Sequence, residues 1–178
     1  MPRLSADAVI LAFGDSITFG SGAEAEESYP AVLSSLTGLK VINAGVPGEV
    51  TADGLKRLPE RLDETQPELL ILCHGGNDML RHQDMGKTAD NLRGMIRMAR
   101  ERGVAVVLIA VPRPGVFMQA AGFYQDIAKA FGIPIEAGAL PDILADRHLK
   151  SDTIHPNRAG YKKLAEAVLA VLQQAKAI

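Results

Sequence analysis

Ala8-Val9-Ile10-Leu11-Ala12-Phe13-Gly14-Asp15-Ser16 is the stretch that decides the fold. Six consecutive apolar residues closed by glycine read as a strand of a parallel sheet, buried on both faces; a useful helix would need about ten or more residues. Ser16 then stands just past the carboxyl end of a central strand. At that edge of an open parallel sheet the crevice beyond the strand ends receives ligands, and the next helix points its positive N-terminus into it. Gly-Asp-Ser is also ordinary turn chemistry, so the meaning of Ser16 depends on what else reaches the same edge.

Outward from this strand, strand and helix signals alternate without a linker, repeat or low-complexity tract, which predicts a βαβ series. Ser28, Tyr29 and Pro30 open a helix to Thr37, stopped by Gly38, with Val32, Leu33 and Leu36 as its buried stripe. Residues 41–44 form a second strand. Thr51 caps a helix with Leu55, Leu58 and Leu62 on one face, which Pro59 should kink by removing a backbone donor. Residues 69–73 are the third strand. Residues 90–102 are a helix ended by Gly103, with Leu92, Ile96 and Ala99 inward, and residues 104–111 carry the strongest β signal. A short helix over 127–131 stops at Gly132, and residues 133–135 make a fifth strand interrupted by Pro134. Asn157 caps a last helix to about residue 175, with Leu164, Val168 and Leu172 inward.

Composition bounds the function. The chain has 178 residues, 47% of them hydrophobic, which suits one well-buried α/β domain spanning 1–178. Nineteen Lys and Arg balance 21 Asp and Glu, for a formal net charge of −2 with no block of like charge. Neither nucleic acid nor stable membrane association is expected. The lone Cys73 lies in an apolar run and reads as a buried thiol. The first seven residues lack the apolar core of a signal peptide, and no run approaches the roughly 20 apolar residues of a membrane span, so a soluble protein is expected. Its native compartment and oligomeric state are left open.

The turns after the strands hold the chemistry. Asn43-Ala44-Gly45-Val46-Pro47-Gly48 follows the second strand and Gly75-Gly76-Asn77-Asp78 the third, both at the edge that carries Ser16. Acyl transfer develops negative charge on the former carbonyl oxygen and needs preorganised donors aimed at it. The Ser16 amide, the Gly48 amide and the Asn77 side-chain NH2 can supply three, with glycine at position 48 allowing close approach of the backbone. In Asp152-Thr153-Ile154-His155-Pro156-Asn157, proline biases His155 away from helical dihedrals, so its ring is presented on a loop. If the segment turns, Asp152 reaches one ring nitrogen and leaves the other for Ser16. Cys73 and His74 are neighbours on a strand and point to opposite faces, which disfavours a Cys-His dyad. His82 and His148 read as solvated.

Taken in order, these blocks resemble the SGNH (GDSL) hydrolase superfamily, within it the bacterial branch of acyl-CoA thioesterase, lysophospholipase and arylesterase enzymes. Gly14-Asp15-Ser16 with Ile17-Thr18-Phe19-Gly20 matches the first block, residues 43–48 the second, 75–78 the third and 152–155 the fifth; Ile17 stands where the nickname has Leu. The resemblance implies Ser16 as nucleophile, His155 as general base, Asp152 orienting it, and an oxyanion hole from Ser16, Gly48 and Asn77. It also implies a flavodoxin-like three-layer α/β/α sandwich of about five parallel strands, a small-molecule ester substrate and no cofactor.

The rival classes, a metal-dependent phosphoesterase and a non-catalytic nucleotide-binding module, lack their signatures. No His-x-His pair or His-Glu-x-x-His motif is present, so no metal is expected. Residues 14–22 match neither dinucleotide nor Walker spacing, and no Gly-x-Ser-x-Gly elbow occurs. For the substrate, residues 111–124 are apolar for a segment with two prolines and two glycines. Val116, Phe117, Met118 and Phe123 either form a satellite core or, with Met79 and Leu80, wall an acyl groove; the resemblance favours the groove. Short to medium acyl chains are then expected, with a carbohydrate O-acetylesterase as the alternative.

Overall fold

The apolar run closed by Gly14 is the interior strand in the computed structural model, which describes residues 1–113 and 121–178. β1 (Val9–Gly14) lies between β2 (Lys40–Gly45) and β3 (Leu69–Cys73), and β4 (Ala105–Ile109) and β5 (Ile135–Glu136) continue past β3, for the order β2-β1-β3-β4-β5. All pairings are parallel; in register, Ile10 stands between Val41 and Leu69, and Gly14 between Gly45 and Cys73. This is the flavodoxin-like order. Because the chain runs from β1 to one side and returns to the other, a crevice opens at the carboxyl ends of β1 and β3.

Eight α-helices accompany the described strands: α1 (Ser16–Phe19), α2 (Tyr29–Thr37), α3 (Thr51–Thr65), α4 (Gly76–Leu80), α5 (Met85–Glu101), α6 (Gly122–Phe131), α7 (Ala139–Ala145) and α8 (Arg158–Gln174). They cover both faces of the sheet, with α2 packed on α8 and α3 on α5. Residues 10–13 and 69–73 are wholly buried between these layers. Each Leu, Ile or Phe among them contributes roughly 1.5–3 kcal/mol by leaving water, which is why the uninterrupted apolar runs settle in the middle of the sheet.

Several local expectations need correction. Leu36 is 44% exposed and Val32 only partly buried, so Leu33 alone of that stripe is in the core; α2 lies over the edge strand β2, where there is less to bury against. α3 stays continuous through Pro59, running for 15 residues. Thr51 is the first residue of α3 rather than its cap. Its N–H donates to Asp78 Oδ2 (2.9 Å) and its hydroxyl to Asp78 Oδ1 (2.5 Å), so α4 supplies the cap across space. α5 starts earlier than its apolar pattern because Asp84 caps it, accepting from the Gly86 and Lys87 amides.

Candidate active site

β1 turns straight into α1, and the turn admits little but glycine at position 14: a Cβ there would stand 1.9 Å from the Cys73 carbonyl oxygen. Asp15 Oδ1 accepts the Ile17 N–H at 3.1 Å, fixing the first turn of α1. Ser16 opens that helix, so its own N–H has no acceptor within it.

His155 arrives from the far end of the chain. The loop before α8 is closed by a Lys150–Pro156 bridge and by Asn157, whose Oδ1 accepts the Gly160 N–H. The segment does turn. Asp152 Oδ1 accepts the N–H groups of Ile154 and His155, both at 2.8 Å, which brings Oδ2 to 2.8 Å from His155 Nδ1. A carboxylate is an acceptor, so Nδ1 carries the proton and Nε2 the lone pair. That lone pair stands 3.0 Å from Ser16 Oγ. Partial burial opposes ionisation of Asp152, but the bonds from the His155 ring and the two amides outweigh it and hold its carboxyl below the usual range.

Asn77 sits in the first turn of α4, whose place is fixed by Asp78, buried and bonded to Thr51 and Thr88. Asn77 Nδ2 donates to the Glu49 carbonyl at 3.0 Å and lies 3.4 Å from Asp15 Oδ2, a long contact that leaves its second hydrogen weakly held beside Ser16. Gly48 has φ of 79°, and a Cβ there would meet only Arg81 Nη2, at 3.5 Å. Within the protein, glycine at 48 therefore answers to the left-handed backbone rather than to crowding.

A cavity of about 440 Å³ opens over Ser16, His155 and Asn77, walled by Ile17, Leu80, Val111, Pro112, Leu140, Leu144 and Ile154, with Arg113 and Lys150 also lining it. Of the expected acyl-groove residues, Leu80 is in this wall. Met79 is not: consecutive helical residues point about 100° apart, and Met79 turns into the core. Phe123 does not line this cavity; partly buried, it packs against the core and the Tyr124 ring, with centroids 4.3 Å apart. Val116, Phe117 and Met118 lie outside the described residues. Leu140 and Leu144 also line the cavity, from the seven-residue α7 after β5, too short for its apolar spacing to be a clear sequence signal.

The remaining candidates resolve simply. Cys73 is fully buried, and burial pushes its thiol well up, which makes it inert. His82 and His148 are exposed. Asp146 and His148 make an Asp-x-His pair in sequence, but Asp146 Oδ1 accepts the His148 amide at 2.8 Å, and among the described residues no group of three His, Cys, Asp or Glu is placed to hold a metal ion. No helix among the described residues is long and apolar enough to cross a membrane.

Ser16, Asn77 and His155 line one cavity at the carboxyl edge of a flavodoxin-like sheet, while Gly48, on the turn after β2, does not line it; fold and family together make the chain an ester hydrolase of the SGNH class. The chain belongs to the GDSL-like Lipase/Acylhydrolase family, whose profile matches residues 12–163. It is 28% identical to the Escherichia coli (strain K12) thioesterase 1/protease 1/lysophospholipase L1, over 96% of this chain and 86% of that one. It is 29% identical to an arylesterase of Vibrio mimicus, over 89% of this chain and 85% of that one. Among solved structures, the crystal structure of TesA superposes with a TM-score of 0.85 at 27% identity, covering 93% of this chain and 98% of the other.

Proposed function

We propose that the protein hydrolyses esters of short to medium acyl chains through a covalent acyl-enzyme on Ser16. Ser16 Oγ attacks the ester carbonyl as its proton passes to His155 Nε2, and Asp152 holds the ring in the tautomer this needs. The Ser16 and Gly48 N–H groups and Asn77 Nδ2 receive the oxyanion, where neutral, preorganised donors act on charge that develops only in the transition state. His155 then returns its proton to the leaving alcohol or thiol. Water, activated by the same nitrogen, releases the acid and restores the serine. The observation that carries the reading is the chain of contacts Asp152 Oδ2 to His155 Nδ1 and His155 Nε2 to Ser16 Oγ, at 2.8 and 3.0 Å.

The acyl preference rests on the cavity, whose volume of about 440 Å³ is that of a small-molecule site and whose wall beside Ser16 is aliphatic. Each methylene buried there contributes about 0.8 kcal/mol, or roughly fourfold in kcat/KM. A panel of p-nitrophenyl esters tests this: kcat/KM should climb from acetate to about hexanoate or octanoate. A steady fall from acetate onward would reject the groove and favour a carbohydrate O-acetylesterase.

A further inference from the structure

Gly48 and Asn77 lie on separate turns, and a buried polar cluster with no part in the proton transfers ties those turns together. His74, the residue after β3, is wholly buried. The Gly75 N–H donates to its Nδ1 at 3.1 Å, so Nδ1 carries the lone pair and the ring proton resides on Nε2, 3.0 Å from Glu49 Oε2. Arg57 of α3 grips the same carboxylate in bidentate fashion, Nε to Oε1 and Nη2 to Oε2, both at 2.7 Å. Arg57 is itself held by the Ala44 carbonyl at 3.1 Å and by the Phe13 ring, 4.1 Å beneath it.

The Glu49 side chain is only 7% exposed, and a carboxylate withdrawn from water is tolerable only with partners of this quality. Its backbone faces the active site: the Glu49 carbonyl accepts from Asn77 Nδ2, and the residue before it is Gly48. Room for the ring comes from α3, where a Cβ on Gly54 would stand 2.5 Å from His74 Nε2 and 3.2 Å from Glu49 Oε2.

We infer that His74, acting through Glu49, is a positioning residue for the oxyanion donors: it fixes the Glu49 side chain, whose backbone sets the Gly48 N–H and aims Asn77 Nδ2. This rests on the oxyanion roles proposed above. His74 touches no substrate, and its ring proton stays with Glu49.

His74→Leu removes the donor while keeping a buried side chain. It lowers kcat roughly tenfold to thirtyfold with KM within about twofold, because a misplaced donor is missed only in the transition state. His74→Gln, whose amide can still donate to Glu49, recovers kcat to within about threefold of the parent. In an Asn77→Ala background, already down by roughly 10² to 10³, His74→Leu costs at least about threefold less than in the parent, because the part of its effect carried by Asn77 is gone and only the part through Gly48 is left. Should the leucine variant fail to fold, His74→Asn, too short to reach Glu49, is read the same way. An unchanged kcat, or equal losses in both backgrounds, overturns the inference. Labelling of parental Ser16 by an alkylphosphonate separates the two possible failures. Without the label the acyl-enzyme reading itself falls, whereas a labelled Ser16 with a fully active His74→Leu removes only the positioning role.

Discussion

Ser16 Oγ and His155 Nε2 are 139 positions apart in the chain and 3.0 Å apart in space. The first is set by the end of an interior strand, the second by a loop pinned ahead of the last helix, and nothing local to either residue could bring them together. Their approach depends on α8 docking against α2 and β5, which makes the catalytic geometry a consequence of the whole sandwich.

Asp152 should be a strong determinant of turnover. Asp152→Asn can keep an oxygen toward the two amides yet places an NH2 against Nδ1, which drives the ring into the wrong tautomer. Asp152→Ala loses the turn as well. Because the side chain is 53% exposed and water can partly replace it, kcat should fall on the order of 10³ to 10⁴ in either variant. Steady-state kinetics showing less than tenfold loss would remove Asp152 from the mechanism.

Gly14→Ala should destabilise by about 3 kcal/mol or more, or prevent folding. The added methyl overlaps the Cys73 carbonyl, part of the β1–β3 ladder, and would also stand 2.4 Å from Thr18 Oγ1. An unchanged urea midpoint would contradict the close approach of β1 and β3 from which Ser16 is launched.

Much of this was legible because the informative signals are local. The apolar run before Gly14 fixes a strand, proline at 156 frees His155 from a helix, and glycine marks the backbone reversal at 48. Other features are decided by neighbours distant in sequence. Thr51 reads as a cap, yet Asp78 from α4 caps α3, leaving Thr51 inside the helix. Pro59 reads as a threat to the continuity of α3, yet the helix runs through it. Met79 and Leu80 read alike in sequence, and only the orientation of α4 separates a core residue from a wall of the cavity. Leu140 and Leu144 reach that wall through α7, too short a helix to announce itself by periodicity.

Stability should fall in acid through Glu49. Burial opposes its ionisation, but the hydrogen bonds from Arg57 and His74 and the Arg57 charge prevail, lowering its carboxyl to about 2. A folded value below the unfolded one contributes stability that is complete above the unfolded value, near 4.5, and is lost as pH falls toward 2. Urea midpoints measured between pH 5 and pH 2.5 should therefore drop more steeply for the parent than for Glu49→Gln. Parallel curves would show that the Glu49 carboxylate is not held as described.

The central claim, a covalent acyl-enzyme on Ser16, is tested most directly by reaction with a p-nitrophenyl alkylphosphonate followed by peptide mass spectrometry. One phosphonyl group per chain, on the peptide that bears Ser16 and formed in step with loss of esterase activity, is the result the geometry predicts. Inactivation with the label elsewhere, or full activity with Ser16 modified, would contradict it.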